Sequence, residues 1–176
     1  MADKSQAWIE MQEPDFTASL EPPPSGDAYE VYSHTPSLDE LEAETASVGE
    51  IPESWRAAYN DLLRSRGLEP RIGARLGRYF KNAGLEGVHV KRYVLPFGTW
   101  EGMTDVQRRF APIHKAFVRD DAPGSIRKLG SGADWSSEEV DDAVERTRAF
   151  VEGFEGNREF GWYYVVYGRK AWAEHA

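Results

Sequence analysis

The sequence predicts an α/β fold, a sheet packed between helices, and three observations predict it. First, the run Phe160 to Lys170 (Phe-Gly-Trp-Tyr-Tyr-Val-Val-Tyr-Gly-Arg-Lys) is rich in the aromatic and β-branched residues that suit a pleated surface. Second, Phe160, Trp162, Tyr164 and Val166 fall on one face of that strand, and Tyr163, Val165 and Tyr167 on the other. Both sets are apolar or aromatic, which places the strand inside a sheet covered on both sides. Third, helical periodicities separate it from two further strand-like runs, the order expected of an α/β sheet. The 176 residues, with six Trp, eight Tyr and eight Phe, make one domain (1–176) with ample core material.

In chain order, Ala7 to Met11 reads as a short strand. Residues 14–50 read as an acidic, Pro-rich loop. Pro22-Pro23-Pro24-Ser25-Gly26 within it is extended or turning. Ser37 to Ala46 predicts a short helix with Ser37 as N-cap and Glu40 at the capping-box position. Tyr29, Val31 and Tyr32 offer one packing contact. A loop this long in a compact domain is functional or disordered.

Ser54 to Arg66 predicts an amphipathic helix through Trp55, Ala58, Tyr59, Leu62 and Leu63, with Ser54 as N-cap and Gly67 after its end. Arg71 to Ala83 predicts a second, buried through Ile72, Leu76, Tyr79, Phe80 and Ala83 and stopped by Gly84. Val88 to Leu95 alternates as a strand whose Lys91 and Arg92 suit a sheet edge. Met103, Val106, Phe110, Ile113 and Phe117 recur at steps of three and four, on a helix that Pro112 must kink or divide. Asp120 to Asp134 reads as a loop. Ser136-Ser137-Glu138-Glu139 is a capping box for a helix running to about Phe154, with Val140, Ala143, Val144, Thr147, Val151 and Phe154 inside.

Charge narrows the function. Residues 5–55 hold twelve carboxylates and no Lys or Arg; Asp3 and Lys4 cancel, so the net −9 leaves residues 56–176 at +3. Direct nucleic-acid binding is disfavoured, because phosphates need a basic face. The acidic stretch is either a solvated loop or a docking segment for a basic partner. Without cysteine there is no disulfide, thiolate or Cys-based zinc site. No signal peptide and no apolar run near the ~20 residues of a membrane span is seen, so an intracellular protein, cytoplasmic or nuclear, is expected. His34, His89, His114 and His175 do not lie at metal-ligand spacing, and no metal site is expected. His34 is the histidine with a claim to acid–base work.

Several segments resemble a known family. Trp8-Ile9-Glu10-Met11-Gln12-Glu13, Trp55, Gly67-Leu68, Ala83-Gly84-Leu85 and Leu95-Pro96-Phe97-Gly98-Thr99-Trp100 match in order and spacing. Trp135-Ser136-Ser137-Glu138-Glu139-Val140 and Tyr163-Tyr164-Val165-Val166-Tyr167-Gly168-Arg169-Lys170 continue the match. Together they resemble the C-terminal half of class I S-adenosylmethionine-dependent methyltransferases, the LaeA-like fungal group in particular. The resemblance implies a partial Rossmann-like sheet, the last three of seven strands, mixed, with helices on both faces. Phe160–Lys170 would be the antiparallel strand inserted between the other two. It also implies methyl transfer, yet the Gly-rich turn of that family's cofactor half has no counterpart. Gly130-Ser131-Gly132 is the nearest imitation, and it follows no buried strand.

The chain is therefore expected to lack its own cofactor site, with S-adenosylmethionine entering only if a partner completes it. The first strand would have lost a neighbour, so pairing through the Ala7–Met11 edge is expected, with a second copy or a second methyltransferase-like chain. Ligands of open α/β sheets sit at the carboxyl ends of parallel strands. Glu13, Phe97, Trp100 and Trp162 are the expected lining of a substrate pocket, and Glu13 and His34 the candidates for catalysis. The function expected is a binding, assembly or regulatory subunit. The alternatives are a methyltransferase of a small metabolite completed by a partner, or a cofactor-free cyclase or isomerase on the same scaffold.

Overall fold

The structure, a computed structural model, describes residues 8–19, 29–30, 39 and 54–170. Strands β1 (Trp8–Ser19), β2 (Tyr29–Glu30), β3 (Leu85–Pro96) and β4 (Phe160–Lys170) form one sheet in the order β1-β4-β3-β2. Every neighbouring pair is antiparallel, so β1 and β3 run in the same direction on either side of β4. The last strand of the chain is thus central, as its two apolar faces require.

The two faces of β4 are not covered equally. Phe160, Trp162, Tyr164 and Val166 are buried and form the main core with Ala74, Leu76 and Phe80 of helix α2 (Ile72–Asn82) and Val90 of β3. Tyr163, Val165 and Tyr167, on the opposite face, are only half-buried. Helices on both faces were expected. One face is closed by α2, and among the described residues helix α3 (Asp105–Ala116) lies over the other near Tyr163 and Val165.

Helix α1 (Trp55–Ser65) begins where expected, with the Ser54 hydroxyl accepting the Ala57 amide at 3.1 Å. Gly67 and Gly84 follow α1 and α2 with φ of 70° and 74°, left-handed conformations that favour glycine. Beyond α3 come a π-helical segment (Phe117–Asp121), α4 (Ala122–Gly130) and α5 (Ser137–Glu152). Both halves of the capping box at Ser136 and Glu139 open α5. Ala58 and Leu62 of α1, Ile126 of α4, and Ala143 and Val144 of α5 make a second, wholly helical core.

Several expectations are corrected. The first strand runs to Ser19 rather than ending at Met11, so 14–19 are strand and not part of a 14–50 loop. Pro14 lies inside it, which a strand tolerates where it is an edge, as β1 is among the described residues. β3 is not an edge at Arg92: Tyr29 and Glu30 pair with Tyr93 and Arg92. Arg92 is buried, its guanidinium 3.9 Å from the Trp162 ring centre, where cation–π attraction offsets part of its desolvation. The 120–134 loop contains α4, whose Pro123 sits in the first turn, where a missing N–H breaks no helical bond. Tyr79 and Ala83 are exposed rather than buried. The Ser37–Ala46 helix lies outside the described residues except Asp39, which is helical and ion-paired to Arg78 at 2.7 Å.

Candidate functional site

Two features stand out: an open edge and face of the sheet, and a buried ion pair at its end. β1 closes one side of the sheet order, and no strand pairs with its outer edge among the described residues. Trp8, Ile9 and Met11 are exposed there, Trp8 to 53%. Trp8 leans on Tyr167 across the sheet, 5.8 Å between ring centres, and Tyr163 donates its hydroxyl proton to Gln12 Oε1 at 2.9 Å. β1 is therefore well seated on β4, and among the described residues nothing pairs with its other side.

The face carrying Tyr163 and Val165 meets α3 across an apolar cleft of about 210 Å3. Tyr93, Leu95, Tyr163 and Val165 line it from the sheet, Val106 and Phe110 from the helix. Helical spacing correctly put Val106, Phe110 and Ile113 on one face of α3, but that face is not buried: Val106 and Phe110 line the cleft and stay 42% and 46% exposed, and Ile113 is 64% exposed. The buried face carries Gln107, Ala111 and His114 instead. Three contacts account for the turn of the helix. Gln107 Oε1 accepts the Thr104 amide in a capping box, Ala111 is small enough to sit against Met103 and Phe154, and the His114 ring stacks on Phe97 at 4.6 Å. An apolar helical stripe thus stays partly exposed beside the cleft on the sheet face.

The second feature lies at the carboxyl end of β3. Arg56 of α1 is buried and ion-paired to Glu159, which immediately precedes β4. The Phe97 amide donates to the Glu159 carbonyl at 2.8 Å, fixing the carboxylate's segment to the end of β3. The Arg56 guanidinium lies 4.4 Å from the Phe97 ring centre and 5.1 Å from that of Phe150. Burial pulls Arg56 down to about 9, still protonated at neutral pH. Burial first, and the Arg56 charge second, push His114 down to about 3, so its ring is neutral. The His114 Nε2 and Trp55 Nε1 atoms have no hydrogen-bond partner among the described residues. Local spacing gave no signal for Arg56 or Glu159, because both are charged residues outside the apolar stripes.

A consequence of the buried neutral ring is a pH dependence of stability. The unfolded ring takes up a proton below its ordinary 6.5, whereas the folded one does not until about 3. The unfolded state then holds the extra proton, so stability falls as pH drops through that window, by up to about 1.4 kcal/mol per pH unit. Denaturant unfolding of the His114→Phe variant at a series of pH values is expected to lose one proton's worth of slope. Equal slopes in the two proteins would contradict it.

The expected pocket residues are only partly brought together. Trp162 and Trp100 share the main core cluster, and the Trp100 amide also donates to Met103 Sδ at 3.2 Å. Phe97 is fully buried in the Arg56 and His114 environment. Glu13 occupies the register position opposite Tyr164, and His34 lies outside the described residues. Gly130-Ser131-Gly132 closes α4, where a side chain at Gly130 would run into Val140 and one at Gly132 into the Arg66 guanidinium. Helix packing accounts for both glycines. The cleft lies below the roughly 300–1,000 Å3 of ordinary ligand pockets, and no carboxylate is among its described lining residues. Among the described residues no group of His, Asp and Glu could hold a metal ion, and no helix is long and apolar enough to cross a membrane. No family model matches the sequence, and no curated protein matches it.

Proposed function

We propose that this protein is a methyltransferase-like assembly subunit with no S-adenosylmethionine site of its own, and that another chain completes its sheet. The observation that carries the proposal is the partly exposed stripe Val106, Phe110 and Ile113 at the apolar cleft over β4 and β3. The exposed Trp8, against Tyr167, extends that face toward the outer edge, while Ile9 and Met11 are exposed on the opposite face of the same strand. The placement of β4 between β1 and β3 is what the methyltransferase resemblance implies for the rear of a Rossmann-like sheet, and supports that parentage. Methyl transfer by the completed assembly is the second reading. It is favoured by the shared direction of β1 and β3, which puts their carboxyl ends on one side of the sheet, where such folds bind ligands.

The folded chain is expected to bind anilinonaphthalene sulfonate, a dye that reports exposed apolar surface, while keeping its native near-ultraviolet circular dichroism. The double variant Phe110→Ser, Ile113→Ser should lose most of that signal at a stability cost within about 0.5 kcal/mol, as for other exposed sites. Calorimetric titration of the isolated chain with S-adenosylmethionine should give no binding heat. Micromolar binding, or a folded chain that ignores the dye, would refute the proposal.

A further inference from the structure

We propose that the helical layer, made of α1, the continuous run from α3 through the π-helical segment to α4, and α5, opens from the sheet as one body, and that the Arg56–Glu159 pair is the latch that fixes where it closes. No second chain is needed for this motion. The apolar side chains divide along the same line. The main core draws its buried residues from α2, β3 and β4. The cores around Leu62 and Trp55 draw theirs from α1, the π-helical segment, α4 and α5, and neither contains a strand residue. A small cluster bridges the two: Met103, Ala111 and Phe154, reached by Trp100 from the main core and by Phe150 from the helical one.

What else is buried at the seam is polar or aromatic. Phe97 meets the Arg56 guanidinium at 4.4 Å and the His114 ring at 4.6 Å, and Arg56 reaches across to Glu159. A seam of this composition resembles a contact between domains more than the interior of one. α4 and α5 rest on other helices, while α1 touches β1 and α3 touches β3. The α3 contact is loose, because the cleft of about 210 Å3 lies within it and close-packed interiors carry few such voids.

The chain crosses the seam at residues 66–71, 97–104 and 153–159. The last two crossings are tied together by the Phe97 amide on the Glu159 carbonyl at 2.8 Å and by the Thr99 hydroxyl on Glu155 at 2.7 Å, so they move together. Each also holds a left-handed glycine, Gly102 with φ of 90° and Gly156 with φ of 83°, with open space around its Cα. A few loop residues of this kind absorb the backbone change of a hinge. Apolar contacts alone tolerate more than one docking angle. A buried ion pair, whose attraction is roughly cancelled by its desolvation, adds little stability but demands one geometry. Opening uncovers Phe97 and Arg56 at the carboxyl end of β3, and closing buries them again.

The test measures distances between paired spin labels in the full chain, which has no cysteine of its own to compete for the label. One pair spans the seam, Lys81→Cys on α2 with Asp141→Cys on α5, and the control pair stays within the layer, Lys128→Cys on α4 with Asp141→Cys; all three positions are exposed. With the latch intact, each pair is expected to give one narrow distance. Adding Arg56→Met with Glu159→Leu should give the seam pair a second population of at least about 10%, leave the control pair narrow and keep the urea midpoint near that of the parent. Should that variant not fold, Glu159→Gln, which keeps the shape and removes the charge, is read by the same criteria. A single narrow seam distance without the ion pair would overturn the latch. Broadening of both pairs would mean general loosening, and a broad seam distance with the ion pair in place would mean that nothing is latched; either result overturns the proposal.

Discussion

Replacing Glu159 by Ala should cost the fold about 3–5 kcal/mol, because it strands the buried Arg56 guanidinium without its counter-ion. That is a large share of the roughly 5–15 kcal/mol by which ordinary domains are stable. The aromatic rings of Phe97 and Phe150 beside Arg56 cannot replace a carboxylate, since desolvated cation–π contacts are worth about 2 kcal/mol or somewhat more and accept no hydrogen bond from the guanidinium in a carboxylate's place. Removing both charges is a different matter. Arg56→Met with Glu159→Leu should recover most of the loss, because the pair's desolvation roughly cancels its attraction. Urea unfolding of the single and double variants measures both. A single variant as stable as the parent would mean that Arg56 is not enclosed.

Trp55→Ala should be nearly as damaging, at about 3–5 kcal/mol. The indole is 1% exposed and sits among Tyr59, His114, Phe117 and Phe150, with ring centres 6.0–6.5 Å away. Its loss opens a cavity where α1, the π-helical segment and α5 meet, and that junction is what holds the helices at the end of the sheet. Trp55→Phe separates packing from hydrogen bonding. The indole N–H has no partner among the described residues, so Phe keeps most of the contact and removes a buried donor that costs about 1–3 kcal/mol when unsatisfied. The Phe variant is therefore expected to lose less than about 1.5 kcal/mol, and a loss equal to that of Ala would show that the donor is in fact satisfied.

What was legible in the sequence was local. Ser54, Gly67, Gly84 and the Ser136–Glu139 box mark helix ends through bonds made within a few residues, and the structure has them where expected. The alternation of β4 is also local, and it correctly implied a strand with neighbours on both sides. The orientation of α3 was not legible, because helical spacing gives a face and not the direction in which it points. That direction was set by His114 finding Phe97 and by Gln107 finding Thr104. α4 was hidden by its Pro123, Gly124 and Ser125, which read as loop until neighbouring helices supply packing. The Arg56–Glu159 pair joins residues far apart in the chain, and the extension of β1 through Pro14 depends on that strand being an edge. Both are tertiary facts with no local signature. The pocket expected from Glu13, Phe97, Trp100 and Trp162 rested on a strand-end rule. The structure puts Phe97 and Trp162 into packed core and leaves much of the accessible apolar surface on α3 and β1.

The most direct test of an open sheet is residue-resolved hydrogen exchange over Trp8–Gln12 in the isolated chain, together with its mass by light scattering. An open edge predicts alternation: amides bonded to β4 exchange slowly, those facing outward exchange fast, and the particle has the mass of one chain. Uniform slow exchange along the strand in a single-chain particle would mean that the protein seals its own edge, and that no second polypeptide is needed to finish the sheet.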